Sequence, residues 1–212
     1  MFSLKEIRTD IFNLQFDEQI ELNSHFLRFQ EYYESPEFRG KRFQLIDYIN
    51  WYAKENDGDF TYFNDWSGFN IPAEVLIDCY HGIPDLNDQD EFMYYIAKKA
   101  VKASQSGKAY LIGTTTDAKE TTIHHELAHG MFYVNEEYQK KIISEIDKIC
   151  HTMTFYQMMK WLALMGYAEN VHHDELNAYL ATGLPDKKET DVPDVSDELR
   201  EPFIKLFKQY CE

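Results

Sequence analysis

His125-Glu126-Leu127-Ala128-His129 sets two imidazoles four residues apart, with a carboxylate beside the first. On a helix the two histidines stand one turn apart and can each direct a nitrogen at the same cation, while the glutamate reaches a water on that cation. At roughly 100° per residue, His125, His129 and Glu126 fall at about 0°, 40° and 100°, and Ile123, Leu127, Ala128, Met131 and Phe132 fall between about 160° and 340°. One face presents ligands and the other packs. Zinc is the natural occupant, because imidazole and carboxylate suit it and its bound water ionises near pH 7, at about which a glutamate base can take the proton.

A catalytic zinc needs a third protein ligand. The segment from Val171 to Leu180 offers one: with Glu175 at 0°, Tyr179 lies near 40° and His172 near 60° by roughly the same helical advance, whereas His173, Asp174 and Asn177 point elsewhere. Glu175 is the expected ligand, and the Ala, Tyr and Leu that follow it argue for burial. His172, Asp174 and Glu169 are the alternatives.

An HExxH helix followed by a glutamate on a second helix resembles the gluzincin branch of the zincin-like metallopeptidases, over about residues 109 to 185. The resemblance implies zinc held by His125, His129 and Glu175, with Glu126 as general base, in a zincin-like fold. A Tyr or His commonly supports the oxyanion in such peptidases, and Tyr179 and His172, which share the ligand's face, fill that role here; Tyr133, one turn beyond His129, is a further candidate. The metzincin extension is absent, since Gly130, Met131, Phe132 and Tyr133 follow His129 with no third histidine at the required spacing. The third-ligand segment departs from the best-known gluzincin signatures, which leaves the subfamily and substrate open.

These residues need elements to hold them. Ala109 to Ile112, after Gly107, is the best strand in the sequence, and Thr121 and Thr122 read as start signals for the HExxH helix. Gly130 stands where a close neighbour or a bend requires a small residue. Apolar spacing predicts helices over 16 to 33, from Phe43 to about Ala53 with a stop near Asp57-Gly58, over 90 to 104, and from Ser196 to Tyr210. Phe60 to Phe63 reads as a short strand, and the aromatics between 60 and 72, around Gly68, read as packing, with an aromatic-lined substrate cleft as the alternative. His25, His81, His124 and His151 read as structural. The expected fold is α+β and predominantly helical, with a small sheet beside the HExxH helix. It forms one domain over 1–212: a mainly helical part to 105, the metal-site core over 106–185, and an acidic connector with a last helix over 186–212.

The 212 residues are 44% hydrophobic and 16% aromatic, enough to build a sizeable core without disulfides. The three cysteines, Cys79, Cys150 and Cys211, form no CxxC pair. A formal charge of -16 excludes nucleic-acid backbones and anionic membranes as partners and favours basic or neutral ones. With no readable leader and no long apolar run, a cytoplasmic protein, or one exported without a signal peptide, is expected. The functional expectation is a zinc peptidase acting on a peptide or protein. Its rivals are an inactive zincin-scaffold binding protein and a zinc hydrolase of a non-peptide amide or ester.

Overall fold

The computed structural model describes residues 1–35, 37–185 and 192–211. Its N-terminus is a hairpin of β1 (Phe2–Arg8) and β2 (Ile11–Phe16). Asp10, at φ 65°, makes the turn, and its buried carboxylate accepts from the backbone N–H groups of Gln105 and Ser106 and from the Ser106 hydroxyl. Helix α1 (Gln19–Glu34) follows, then α2 (Leu45–Glu55), α3 (Tyr62–Asp65), β3 (Gly68–Pro72), α4 (Ala73–Tyr80), α5 (Asp88–Ala103) and β4 (Tyr110–Thr115). The second half is helical: α6 (Glu120–Val134), α7 (Glu136–Ile149), α8 (Met153–Leu164), α9 (His172–Thr182) and α10 (Asp197–Cys211).

The four strands form one mixed sheet in the order β1-β2-β4-β3. β2 and β4 run parallel, and β1 and β3 flank them antiparallel. Alternation along the central strands sorts the core into two layers. Phe12, Leu14, Phe16 and Leu111 face a cluster built with α1, α4 and α5, while Ile11, Tyr110 and Ile112 face one built with α6, α7, α9 and α10. Each fully buried Ile or Leu of this kind stabilises by about 1.5–3 kcal/mol. Gly130 of α6 lies over β2: a Cβ there would sit 2.9 Å from Ile11 Cδ1, so the close neighbour anticipated at that glycine is the central strand.

The expected α+β class and small sheet are present, and each predicted helix lies within a few residues of its expected bounds, while α4, α7 and α8 are not among the expected helices. Two expectations need correction. Phe60 to Phe63 is not a strand: Tyr62 begins α3 and its ring, 5.7 Å from that of Tyr48 and 5.5 Å from that of Tyr52, packs into the α2 aromatic cluster. Four residues are too few to separate a strand from a helical turn by period. Helix α6 begins after Lys119 with no side-chain cap, so Thr121 and Thr122 lie inside its first turn and do not start it. The part before residue 105 also carries three strands absent from a mainly helical reading. The acidic stretch from 186 to 191 lies outside the described residues. Among the described residues no helix is long and apolar enough to cross a membrane.

Candidate metal centre

Helix α6 rests on the sheet, and α9 packs across it. Asn177 pins the two helices together: its amide donates to the Ala128 carbonyl, and its oxygen accepts from the Tyr138 hydroxyl at 2.8 Å. This crossing brings the carboxylate of Glu175 to the two histidines. His125 Nε2 and His129 Nε2 are 3.3 Å apart, Glu175 Oε1 is 3.7 Å from His129 Nε2, and Glu175 Oε2 is 4.0 Å from His125 Nε2. Tetrahedral ligands at 2.0–2.1 Å from one ion stand about 3.3–3.4 Å apart. The three side chains are therefore placed to hold a metal ion.

Two further observations fit that reading. Glu175 Oε2 has no hydrogen-bond partner although its side chain is only 3% exposed, and an orphaned buried carboxylate oxygen is costly unless a cation completes it. His129 keeps Nε2 toward the centre, and its Nδ1 lies 3.0 Å from Asp174 Oδ1. A carboxylate behind a ligating imidazole orients it, and here the two atoms are in contact without an aligned hydrogen bond. The charges agree. Burial pushes the Glu175 carboxyl up to about 8 against the pull of His129. Burial, with His129 next to it, holds His125 well below its usual value. For His129 burial acts downward, but the Asp174 and Glu175 carboxylates outweigh it and hold the ring well above its usual value.

Glu126 lies beside this centre in a clamp. Asn70 Nδ2 of β3 donates to Glu126 Oε2 at 2.9 Å, and the Tyr110 hydroxyl donates to Asn70 Oδ1 at 2.6 Å, which fixes which way the amide faces. The other oxygen, Oε1, runs against Gly68: a Cβ on that glycine would stand 2.4 Å from it. Burial raises the Glu126 carboxyl, with His129 and the Asn70 amide opposing.

A cavity of about 910 Å³ opens over the group. His125, Glu126, His129, Glu175 and Tyr179 line it from α6 and α9, Gly68, Phe69 and Asn70 from β3, and Glu31, Glu34, Tyr48 and Trp51 from α1 and α2. Tyr179 sits with its ring 4.7 Å from that of His125 and its hydroxyl 3.2 Å from that of Tyr167. His172 does not line the cavity; its Nε2 donates to the Tyr167 carbonyl at 2.9 Å. Tyr133 packs at a tilt against Tyr110, ring centres 5.3 Å apart, and leans on Glu74. His124 packs against Phe207.

Sequence reasoning missed Asn70, Gly68, Glu31 and Glu34, and weighed Asp174 only as a ligand. None stands near the HExxH in sequence. Only the glycine inside an aromatic run gave a trace of close approach.

Compared with known proteins, the chain matches no family model, no curated protein and no solved structure.

Proposed function

We propose that the chain is a zinc-dependent peptidase of the gluzincin type. The observation that carries the reading is the joint placement of three converging ligands, His125, His129 and Glu175, with a clamped carboxylate, Glu126, in one cavity. Zinc in this ligand set would supply a Lewis acid and lower the pKa of its water to about 7. Glu126 accepts the proton of the attacking water on the oxygen that Asn70 leaves free, and hands it to the leaving amine. Its raised affinity for protons suits both halves of that task. Tyr179, beside His125, donates to the developing oxyanion.

Two features favour an open catalytic centre over a closed structural one. His172, the obvious fourth ligand, has its Nε2 engaged by the Tyr167 carbonyl. A structural site has no use for Glu126. A peptide substrate is favoured by β3, the terminal strand of the sheet, whose first residues line the cavity. An extended chain gains backbone hydrogen bonds along such an edge.

The test is elemental analysis of wild type, Glu175→Ala and His129→Ala, followed by a quenched-fluorescence peptide library with Glu126→Gln as control. The reading expects close to one zinc per chain, lost in both ligand variants, and hydrolysis abolished in a zinc-loaded Glu126→Gln. A wild type that holds no zinc after loading and dialysis, or hydrolysis that survives Glu126→Gln, overturns it.

A further inference from the structure

The part of the cavity lined by α1 and α2 has its own chemistry. Glu31 and Glu34, three apart on α1, present their carboxylates on one face, a turn from each other. Glu34 feels the charges of Glu175 and His129, whereas the groups that act on Glu31 all lie outside the centre. Among the described residues neither meets a lysine or arginine: Glu31 is attended by the hydroxyls of Tyr48 and Ser35, and Glu34 by the Gln30 amide. The rings of Tyr48, Trp51, Tyr52 and Tyr62 close around the outer part of the cavity, with Tyr48 5.7 Å from Trp51 and 5.8 Å from Tyr52. The Tyr62 hydroxyl, on a ring 1% exposed, sits in the field of Glu31 without completing a hydrogen bond.

Two carboxylates without cations, an unsatisfied hydroxyl and several π faces on one concave wall form a receptor for an organic cation. An apolar side chain would leave both carboxylates without a countercharge, and an anion would be repelled. We infer that this wall binds a positively charged group of the substrate, an ammonium or a guanidinium, seated between Glu31 and Glu34 against the aromatic rings. The inference deepens the peptidase reading and takes the metal centre from it: the enzyme selects peptides by a cation near the scissile bond. Glu34, the nearer carboxylate, sets how far from that bond the charge must lie.

The zinc-loaded full chain is given quenched peptides that differ at one position, arginine against its neutral isostere citrulline and lysine against norleucine, each with a free or an acetylated N-terminus. The expected result is kcat/KM at least about tenfold higher for the charged member, the scale of leaving a buried charge unpaired. The ratio falls toward one in Glu31→Gln and in Glu34→Gln at unchanged zinc content. A dependence on the side chain assigns the cation to Lys or Arg, and a dependence on the free N-terminus assigns it to the α-amine. Equal cleavage of arginine and citrulline peptides at every position, with acetylation also without effect, overturns the inference. If no peptide is cut, the peptidase reading fails, and the wall is judged alone by tryptophan fluorescence, since Trp51 and Trp66 line the cavity. Arginine methylamide and N-acetylarginine methylamide, set against N-acetylcitrulline methylamide, are titrated into wild type and both variants. Charge-dependent binding lost in the variants upholds the cation site, and binding indifferent to charge rejects it.

Discussion

Replacing Gly68 by alanine tests the clamp on Glu126 without touching a ligand. The new Cβ would stand 2.4 Å from Glu126 Oε1, 3.1 Å from its Cδ and 3.0 Å from Thr122 Cγ2. Real Cβ contacts are essentially never under 3.0 Å, so the carboxylate must retreat by at least the 0.6 Å that separates these distances. It cannot slide freely, because Oε2 is held by Asn70 and Asn70 is held by Tyr110. The displaced group is the end of a flexible side chain, so the cost to folding is small, under about 1 kcal/mol, and the entropy lost from the unfolded glycine offsets part of it. The cost to proton transfer is not small, since a displacement approaching 1 Å of a reacting group costs about 10²-fold. Gly68→Ala should therefore keep its zinc and a near-native Tm while kcat on a cleaved library peptide falls about 10- to 100-fold. Adding Asn70→Ala releases the second oxygen, and the double variant should lose less than the product of the two single losses. A Gly68→Ala protein with wild-type kcat, or one whose losses multiply independently with those of Asn70→Ala, would refute the reasoning.

Asp174→Asn keeps shape but removes the charge behind His129, so zinc affinity measured by chelator competition should fall about 10- to 100-fold; an unchanged affinity removes Asp174 from its orienting role. Tyr179→Phe should lower kcat by about 10²-fold at constant zinc content if its hydroxyl meets the oxyanion, and a kcat within twofold of wild type would exclude that. Burial lifts the Glu31 carboxyl from 4.5 to about 7. A carboxyl raised on folding favours the folded state while protonated and loses that advantage as pH climbs from about 4.5 through 7. Glu31→Gln should accordingly match wild type in Tm near pH 4 and exceed it at pH 8, by up to about 3 kcal/mol in stability; a gap that does not widen with pH contradicts this.

The HExxH helix was legible because its chemistry is local: five residues fix the spacing, and the helical period separates ligand face from packing face. Glu175 followed because apolar neighbours marked it for burial. The rest of the site is assembled across the sheet. Asn70 meets Glu126 only because β3 pairs with β4 in the register that sets Asn70 against Ile112. Glu34 reaches the cavity only because α1 packs over the same strands. Neither pairing leaves a mark in the sequence around either residue. The hairpin was missed for another reason. Apolar residues do alternate at Phe12, Leu14 and Phe16, but the run is short and leads straight into the apolar spacing of α1, and β1 alone is mostly half-exposed. Asp174 shows the limit of phase arguments: it points away from the ligand face of its own helix and still reaches the far nitrogen of His129 on the next.

The pairing of β2 with β4 also sets a timetable. Asp10 and the Gln105 amide it holds are 95 residues apart in the chain. At about 5–20 residues per second of synthesis, the first hairpin waits some 5–20 s for its parallel neighbour. The loop closed by that pairing is entropically slow to form, so the sheet sets the pace of folding. Helix α6 follows β4, and α9, which carries Glu175, comes later still. A nascent chain thus completes its scaffold before it owns three ligands, and any product that stops short of α9 holds two histidines and no finished centre. The third of the converging side chains is thus delivered late in synthesis, with only α10 among the helices still to follow.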